Sequence, residues 1–280
     1  MISALLAMAL AQPQIDLGVV YSKVGGEELK MDIYSPAEIK SGTAPAVVVI
    51  HGGAWVSGNR TDMADLCIQL ASKGIVAATV SYRLAPKHKW PAMLDDVQTA
   101  TRFLRTQASQ YKIDPKRIGS AGASAGGHLA LLLGLRETRD PKPAEHAGVS
   151  SQTQVVFNIF GPTDMANDFP PAFDMLYPMV LGKPKAEAGE VIKDASPVQW
   201  VTAQAPPIYT IHGTADAVVP VRQATRLEEA MKAQKREIVT VIVEGMPHGI
   251  RTGKPDVDEK IKKGLDDGIN FLAQHLGLKS

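Results

Sequence analysis

Short apolar runs with the character of buried β-strands alternate with stretches of helical periodicity along most of this chain. The runs are continuously apolar, as in strands that are covered on both faces. They are Val47–Ile50, Ile75–Val80, Ile118–Ala121, Val155–Phe160, Ile208–Ile211 and Ile238–Val243. Apolar residues recur at three- and four-residue spacing from Leu94 to Tyr111 and from Ile261 to Leu276. This order predicts an α/β fold with a mostly parallel sheet between two layers of helices.

The first part of the chain has a different pattern. The segments Val19–Val24 and Leu29–Tyr34 flank Gly25 and Gly26, which is typical of a β-hairpin. This antiparallel pair belongs at the edge of the sheet and brings the prediction to eight strands. We interpret residues 1–18 as an apolar lead-in or the remnant of a signal peptide, although no basic residue precedes the apolar stretch. The protein is expected to be secreted or periplasmic if residues 1–11 are a clipped signal peptide, and cytoplasmic otherwise.

Residues 19–280 are predicted to form a single domain. A length of 280 residues and a hydrophobic fraction of 45% suit one α/β domain with a large core. Residues 163–206 are rich in Pro, Asp and Ala and have no clear period, which predicts a lid or partial cover rather than a second domain. The single cysteine, Cys67, excludes an internal disulfide and is expected to be a small buried hydrophobe on a helix.

Charge and hydropathy argue against a nucleic-acid-binding protein and against a membrane-spanning one. The net charge is +1 and the basic residues are scattered, whereas nucleic-acid binders usually carry a basic face. No segment after the lead-in has about 18 uninterrupted apolar residues, so no membrane span is predicted. No set of ligand-type residues has metal-site spacing, and no glycine loop matches a phosphate or dinucleotide cradle, so neither metal nor cofactor is expected.

The segment Gly122-Ala123-Ser124-Ala125-Gly126 joins a predicted strand to a predicted helix. A Gly-x-Ser-x-Gly sequence in this position forms a sharp turn that presents the serine hydroxyl at the carboxyl edge of the sheet. The two glycines are needed where a Cβ would collide with neighbouring backbone. We therefore predict that Ser124 is a nucleophile, which requires a base, an acid that orients the base, and donors for the oxyanion.

His248 is the best candidate for the base. It follows the late strand Ile238–Val243 on a loop with Pro247 and Gly249, which leave room for an exposed imidazole. His128 is expected to be packed and hydrogen-bonded on the helix after the nucleophile, and His212 to support the acid's loop. The seven histidines are His51, His88, His128, His146, His212, His248 and His275.

Asp216 is the preferred acid. It lies on the loop after the strand Ile208–Ile211, one strand before His248, so the nucleophile, acid and histidine follow one another in the order of α/β-hydrolases. The alternative is Asp164, which also follows a strand and is otherwise expected to brace its loop or cap a helix.

The oxyanion donors are predicted in His51-Gly52-Gly53-Ala54-Trp55, directly after the strand Val47–Ile50. Adjacent glycines allow backbone N–H groups to point inward without obstruction. We assign the oxyanion hole to Gly53, Ala54 and Ala125, with Gly52 as an alternative for one of them. Trp55 is expected to pack beneath the loop.

Arg83 and Asp96 lie near the end of one predicted strand and the start of the next helix. They are expected to form an ion pair that ties the loop after the strand to the helix. This pair is interpreted as architectural and is kept outside the site.

Together these segments resemble the α/β-hydrolase superfamily, and within it the serine esterases marked by His-Gly-Gly-x-Trp. The resemblance runs from about Val19 to the end of the chain and includes the Ser81-Tyr82-Arg83-Leu84-Ala85-Pro86 and Pro247-His248-Gly249 segments. Relatives of this kind include hormone-sensitive-lipase-like carboxylesterases, acetyl-xylan and feruloyl esterases, and kynurenine formamidases. The resemblance implies an α/β-hydrolase fold with eight strands and hydrolysis through an acyl-enzyme.

Two features distinguish this sequence from the hormone-sensitive-lipase-like carboxylesterases and limit which group of esterases it resembles. Those enzymes usually have His-Gly-Gly-Gly, whereas Ala54 and Trp55 follow the two glycines here. They also have a long N-terminal cap, whereas only 50 residues precede His51 and the edge strands are expected to use most of them. The chain is more similar to bacterial esterases with a minimal cap that act on acetylated or feruloylated polysaccharides. We therefore expect a small-molecule or oligosaccharide ester as substrate. The alternatives are a formamidase-like amide hydrolase and a non-catalytic binding protein on the same fold.

Overall fold

The computed structural model of the chain describes residues 12–39, 42–139, 146 and 148–278. Its strands form one eight-stranded sheet in the order β1-β2-β4-β3-β5-β6-β7-β8. They are β1 Gln14–Val24, β2 Glu27–Ser35, β3 Ala44–Ile50, β4 Val76–Val80, β5 Ile113–Ala123, β6 Val156–Ile159, β7 Ile208–Gly213 and β8 Ile238–Val243. The α-helices are α1 Ala64–Ser72, α2 Ala92–Thr106, α3 Ala125–Leu135, α4 Gly189–Asp194, α5 Arg222–Ala233 and α6 Pro255–His275.

The antiparallel part of the sheet is confined to one edge, as predicted. β1 pairs with β2 through a hairpin at Gly25 and Gly26, and β2 pairs antiparallel with β4. From β4 onward every neighbouring pair of strands is parallel. The carboxyl ends of these strands therefore meet at one edge of the sheet, where the loops after β3, β5, β7 and β8 begin.

The predicted start of the first strand was wrong. β1 begins at Gln14, which pairs with Ser35, so residues 14–18 belong to the hairpin rather than to a lead-in. The apolar pattern did not reveal this because Ile15 and Leu17 are exposed on an edge strand and bury no continuous face. Residues 1–11 of the predicted lead-in lie outside the described residues.

Both faces of the central strands are covered. Along β3, Ala46, Val48 and Ile50 contribute to one apolar cluster while Val47 and Val49 contribute to the other, because successive side chains point to opposite faces. Residues of α2, α3 and α5 complete the first cluster, and residues of α1 and α6 complete the second. Fully buried strands explain why the runs in the sequence are continuously apolar.

Cys67 lies on α1 and is completely buried in the second cluster, as expected for a small hydrophobe. Burial raises the pKa of its thiol well above the ordinary value. None of the described helices has an apolar stretch of the length needed to cross a membrane.

The segment 163–206 contains short helical turns that the sequence pattern did not reveal. They are Pro171–Met175, Tyr177–Leu181, Lys185–Glu187, α4 and Pro197–Trp200. The segment is joined to the rest of the fold where the Trp90 indole donates to Asp194, at 2.8 Å. Its two ends are also linked, because the Met165 N–H donates to Ser196 Oγ at 2.9 Å. Its role as a partial cover or lid stays a prediction.

Candidate active site

Ser124 occupies a one-residue turn between β5 and α3. Its backbone has φ 55° and ψ −121°, a conformation that a residue with a side chain rarely adopts. The turn depends on close backbone contacts: a Cβ on Gly122 would lie 2.4 Å from the Gly126 carbonyl oxygen, and one on Gly126 would lie 2.0 Å from the Ile50 oxygen. These approaches explain why glycines flank the serine at the carboxyl edge of the sheet.

The structure brings Ser124, His248 and Asp216 together from three separate loops. Nε2 of His248 lies 2.8 Å from Oγ of Ser124, and Nδ1 lies 2.7 Å from Oδ2 of Asp216. If the carboxylate accepts from Nδ1–H, the lone pair of Nε2 faces the serine hydroxyl. The three side chains thus form one continuous hydrogen-bonded chain.

The Asp216 carboxylate is held in place by several donors. Its Oδ1 atom accepts from the N–H groups of Val218 and Val219, at 2.9 and 2.8 Å. Nε2 of His212 donates to the Val219 carbonyl at 2.7 Å and lies 3.4 Å from Asp216 Oδ2, consistent with its expected support of this loop. Burial alone would raise the pKa of Asp216, but the nearby Nε2–H of His212 and the hydrogen bonds from His248 and Val219 hold it well below its usual range.

The alternative acid, Asp164, has a different environment. Its carboxylate accepts from the Ala166 N–H at 3.0 Å and the Asn167 amide at 2.8 Å, and lies 3.5 Å from an Arg226 nitrogen. These contacts brace the loop after β6, which matches the structural role expected for a residue that is not the acid.

The loop predicted to supply oxyanion donors runs beside the nucleophile. Gly53, Ala54 and Trp55 have positive φ angles of 104°, 52° and 62°. Within the part of the chain that the structure describes, the N–H groups of Gly53 and Ala54 donate to no protein acceptor. A Cβ on Gly52 would lie 3.3 Å from Cβ of Ser124, so this glycine permits the close approach. The assignment of donors stays a prediction.

Two structural interpretations from the sequence are confirmed. Trp55 is buried, with 2% of its surface exposed, and therefore packs beneath the loop. Arg83 and Asp96 form an ion pair of 2.7 Å with Asp96 almost fully buried, which joins the segment after β4 to α2.

Phe160 was not recognised from the sequence as part of the site. It follows β6, is 5% exposed and has a φ of 41°. Its ring packs against the imidazole of His248 with centroids 4.8 Å apart. The sequence showed only an apolar residue at the end of a strand, and that signal does not distinguish a core residue from one that contacts the imidazole.

Comparison with known protein families and structures identifies the relatives of this chain. A family model described as BD-FAE matches residues 31–231, a range that spans β2 to α5 and contains Ser124 and Asp216. The chain belongs to the BD-FAE family. His248 lies outside the matched range, on the loop after β8.

Among curated relatives of this BD-FAE chain is Esterase LipC from Mycobacterium tuberculosis, with 35% identity over 227 residues, or 78% of this chain and 56% of LipC. The chain spans about half the length of the curated relatives it matches.

Solved structures match almost the whole chain. A truncated carbohydrate esterase from gut microbiota is 27% identical with a TM-score of 0.80, covering 96% of this chain and 98% of that protein. Esterase Est2 of Thermogutta terrifontis with bound propionate is 29% identical with a TM-score of 0.79, covering 98% of both chains. The α/β-hydrolase fold predicted from the sequence is therefore confirmed.

Proposed function

We propose that this protein is a serine esterase that hydrolyses carboxylic esters through an acyl-enzyme on Ser124. The observation that carries the proposal is the continuous hydrogen-bonded chain from Asp216 through His248 to Ser124, with 2.7 and 2.8 Å between the bonded atoms. The esterase relatives and the esterases of similar structure support the same reaction class.

In the first half of the reaction, Oγ of Ser124 attacks the ester carbonyl carbon while Nε2 of His248 takes the hydroxyl proton. The carbonyl π electrons move onto oxygen, and N–H groups of Gly53, Ala54 and Ala125 stabilise the resulting oxyanion. Ala125 suits this role because it is the first residue of α3, where an N–H has no acceptor within the helix. The C–O bond to the alcohol then breaks, and the imidazolium protonates the departing oxygen.

In the second half, a water molecule attacks the acyl-enzyme carbonyl and gives its proton to Nε2 of His248. The tetrahedral intermediate collapses, the bond to Oγ of Ser124 breaks, and the imidazolium returns the proton to the serine. Asp216 keeps the imidazole in the tautomer with hydrogen on Nδ1 and stabilises its charged form. The low pKa of Asp216 keeps its carboxylate ionised throughout the cycle.

We further propose that the substrates are short-chain acyl esters, or acetyl or feruloyl esters of plant polysaccharides. The similarity to a carbohydrate esterase supports a sugar-bearing alcohol. Est2, which has been solved with propionate and with butyrate bound, supports a short acyl group. Est2 is also known in a form phosphonylated by sarin, and we expect Ser124 to accept a phosphonyl group in the same way.

The decisive experiment compares wild type with Ser124→Ala on p-nitrophenyl acetate. We expect kcat to fall by about 10⁶-fold or to the detection limit, because the nucleophile is removed. Mass spectrometry after fluorophosphonate treatment should show one adduct on wild type and none on Ser124→Ala. A Ser124→Ala variant that hydrolyses the ester at the wild-type rate would show that the nucleophile lies elsewhere.

The substrate class requires its own measurement. kcat/KM is compared for p-nitrophenyl esters from acetyl to palmitoyl, for acetylated xylan and for methyl ferulate. We expect the short acyl esters to be preferred and at least one of the two plant-type substrates to be hydrolysed. A preference for long acyl chains would contradict the polysaccharide role and leave the esterase proposal intact.

A further inference from the structure

The loop beside Ser124 has a backbone that must be held in place by its surroundings. Gly53, Ala54 and Trp55 are consecutive residues with positive φ, although two of them carry side chains. The carbonyl of Gly53 accepts from the N–H groups of Val56 and Ser57, both at 3.0 Å, which closes the turn. Residues with side chains persist in this region only where neighbouring structure enforces it.

The side chain of Trp55 is the anchor of this loop. It is buried in the first apolar cluster, with its ring edge-on to Phe173 at 6.4 Å. The Trp55 carbonyl accepts from the Ala85 N–H at 2.9 Å. A buried indole N–H requires an acceptor, and the structure supplies Nδ1 of His128 at 3.3 Å.

His128 connects this anchor to the nucleophile. It lies in the first turn of α3, and its backbone N–H donates to the Ser124 carbonyl at 3.0 Å. Its side chain is 1% exposed, and Nε2 lies 2.6 Å from the Ala195 carbonyl oxygen. A carbonyl accepts only, so the proton is on Nε2 and the lone pair on Nδ1 faces the Trp55 indole.

The imidazole must be neutral to make both contacts. A protonated ring would direct a second N–H toward the indole N–H and lose the hydrogen bond to Trp55. Burial favours the neutral form and lowers the pKa of His128 to about 4. The ring is further enclosed by Trp55 and Trp90, at centroid distances of 5.1 and 5.8 Å.

We infer that His128 is a positioning residue that fixes the loop of Gly53, Ala54 and Trp55 relative to Ser124. This inference rests on the proposed esterase function. Its backbone belongs to the turn of the nucleophile, and its side chain holds the indole that anchors Gly53 and Ala54. The same imidazole also contacts the segment between β6 and β7, because its Nε2–H donates to the Ala195 carbonyl. His128 touches neither the substrate nor the proton that moves; it acts through Trp55.

The test separates transition-state stabilisation from simple packing. The full-length variants His128→Leu and His128→Gln are compared on p-nitrophenyl acetate. Their inhibition by an alkyl trifluoromethyl ketone is also measured, because the adduct of this ketone with the serine carries the oxyanion. In His128→Leu we expect kcat to fall about 10- to 100-fold with KM changed less than threefold, since one oxyanion donor is worth about 10²–10³ in kcat. The inhibition constant should rise in parallel. His128→Gln supplies both an acceptor and a donor, so it should recover a substantial part of the loss.

Trp55→Phe tests the same hydrogen bond from its other partner and keeps an aromatic ring in the cluster. If the two residues act through one contact, the double variant Trp55→Phe/His128→Leu should lose about as much kcat as the more damaged single variant. Additive losses in log kcat would mean that the residues act independently and would overturn the inference. If His128→Leu does not fold, Trp55→Phe with the inhibitor carries the test.

Tyr209→Phe is the matched control, because it removes another buried hydrogen bond, from the Tyr209 hydroxyl to the Gly264 carbonyl at 2.9 Å. It should lower Tm without changing kcat or the inhibition constant. Folded His128→Leu and Trp55→Phe variants with wild-type kcat would overturn the positioning role alone, provided that Ser124→Ala is inactive. An active Ser124→Ala variant would overturn the esterase proposal itself and this inference with it.

Discussion

The ring of Phe160 packs against the imidazole of His248, with the two planes tilted by 57°. Phe160 has a positive φ and is almost fully buried, so the backbone after β6 is constrained where it meets this imidazole. The N–H of Phe160 donates to the Ile211 carbonyl at 2.8 Å, which ties its position to β7 and hence to the start of the Asp216 loop. The imidazole of His248 therefore has a constrained apolar neighbour in addition to its hydrogen-bonding partners Asp216 and Ser124.

We predict that Phe160→Ala lowers both stability and turnover. Removal of a buried aromatic side chain leaves a cavity and costs about 3–5 kcal/mol of unfolding free energy. It also frees the imidazole to leave the line between Asp216 and Ser124, so kcat should fall by about tenfold or more. Urea unfolding and steady-state kinetics measure the two effects.

Phe160→Leu is the matched control because it retains apolar bulk against His248. It should keep most of the stability and a kcat between those of wild type and Phe160→Ala. Equal kcat values for all three proteins would show that the ring does not restrain the imidazole.

The choice between Asp216 and Asp164 is tested by amide substitution. We predict that Asp216→Asn lowers kcat by about 10⁴-fold, because an amide no longer favours the imidazole tautomer with hydrogen on Nδ1. Asp164→Asn should keep kcat within about threefold, since its carboxylate contacts loop residues and Arg226. The two kcat values on p-nitrophenyl acetate decide the assignment, and a larger loss in Asp164→Asn would reverse it.

The strands and the order of the loops were readable from the sequence because parallel strands buried on both faces leave continuous apolar runs. β8 has the bounds that were predicted, Ile238–Val243, and the hairpin around Gly25 and Gly26 is correct. The proximity of Ser124, Asp216 and His248 also followed, because parallel strands bring their carboxyl ends to one edge of the sheet. The catalytic roles of these residues stay predictions.

Features that depend on tertiary contacts could not be predicted from the sequence. The contact of Phe160 with His248 results from a local backbone conformation that hydrophobic periodicity does not encode. The short turns in residues 163–206 each contain too few residues to show a period. The link from Trp55 to His128 crosses 73 residues of sequence, so only the fold shows that the two buried polar atoms are partners.

The glycines of the nucleophile turn are predicted to be intolerant of a methyl group. In Gly126→Ala the new Cβ would lie 2.0 Å from the Ile50 carbonyl oxygen, a contact that requires the backbone of β3 or α3 to shift. We expect the unfolding free energy to fall by several kcal/mol, or soluble protein to be lost, together with activity. Gly189→Ala is the matched control, because its Cβ would meet no atom within 4 Å at the start of α4. If Gly126→Ala is as stable and as active as Gly189→Ala, the turn does not have the close contacts described.

The buried imidazole of His128 predicts a pH dependence of stability. Its pKa in the folded protein is lowered to about 4, from 6.5 for an ordinary histidine, because burial outweighs the hydrogen bond to Ala195. Between these two values the unfolded chain binds a proton that the folded protein excludes, so stability falls as the pH drops through about 6.5. The loss levels off below about pH 4, where the folded protein also binds the proton.

A shift of this size corresponds to about 3 kcal/mol at most, at 1.36 kcal/mol per pKa unit. His128→Gln has no titrating group at this position and lacks this contribution. Urea unfolding of both proteins at pH 7 and pH 4.5 should therefore show wild type losing about 2–3 kcal/mol more than the variant. Carboxylates elsewhere titrate in both proteins and cancel in the comparison. Equal losses of unfolding free energy in the two proteins would mean that the imidazole of His128 has an ordinary pKa in the folded protein. It would then not be held neutral between Trp55 and Ala195.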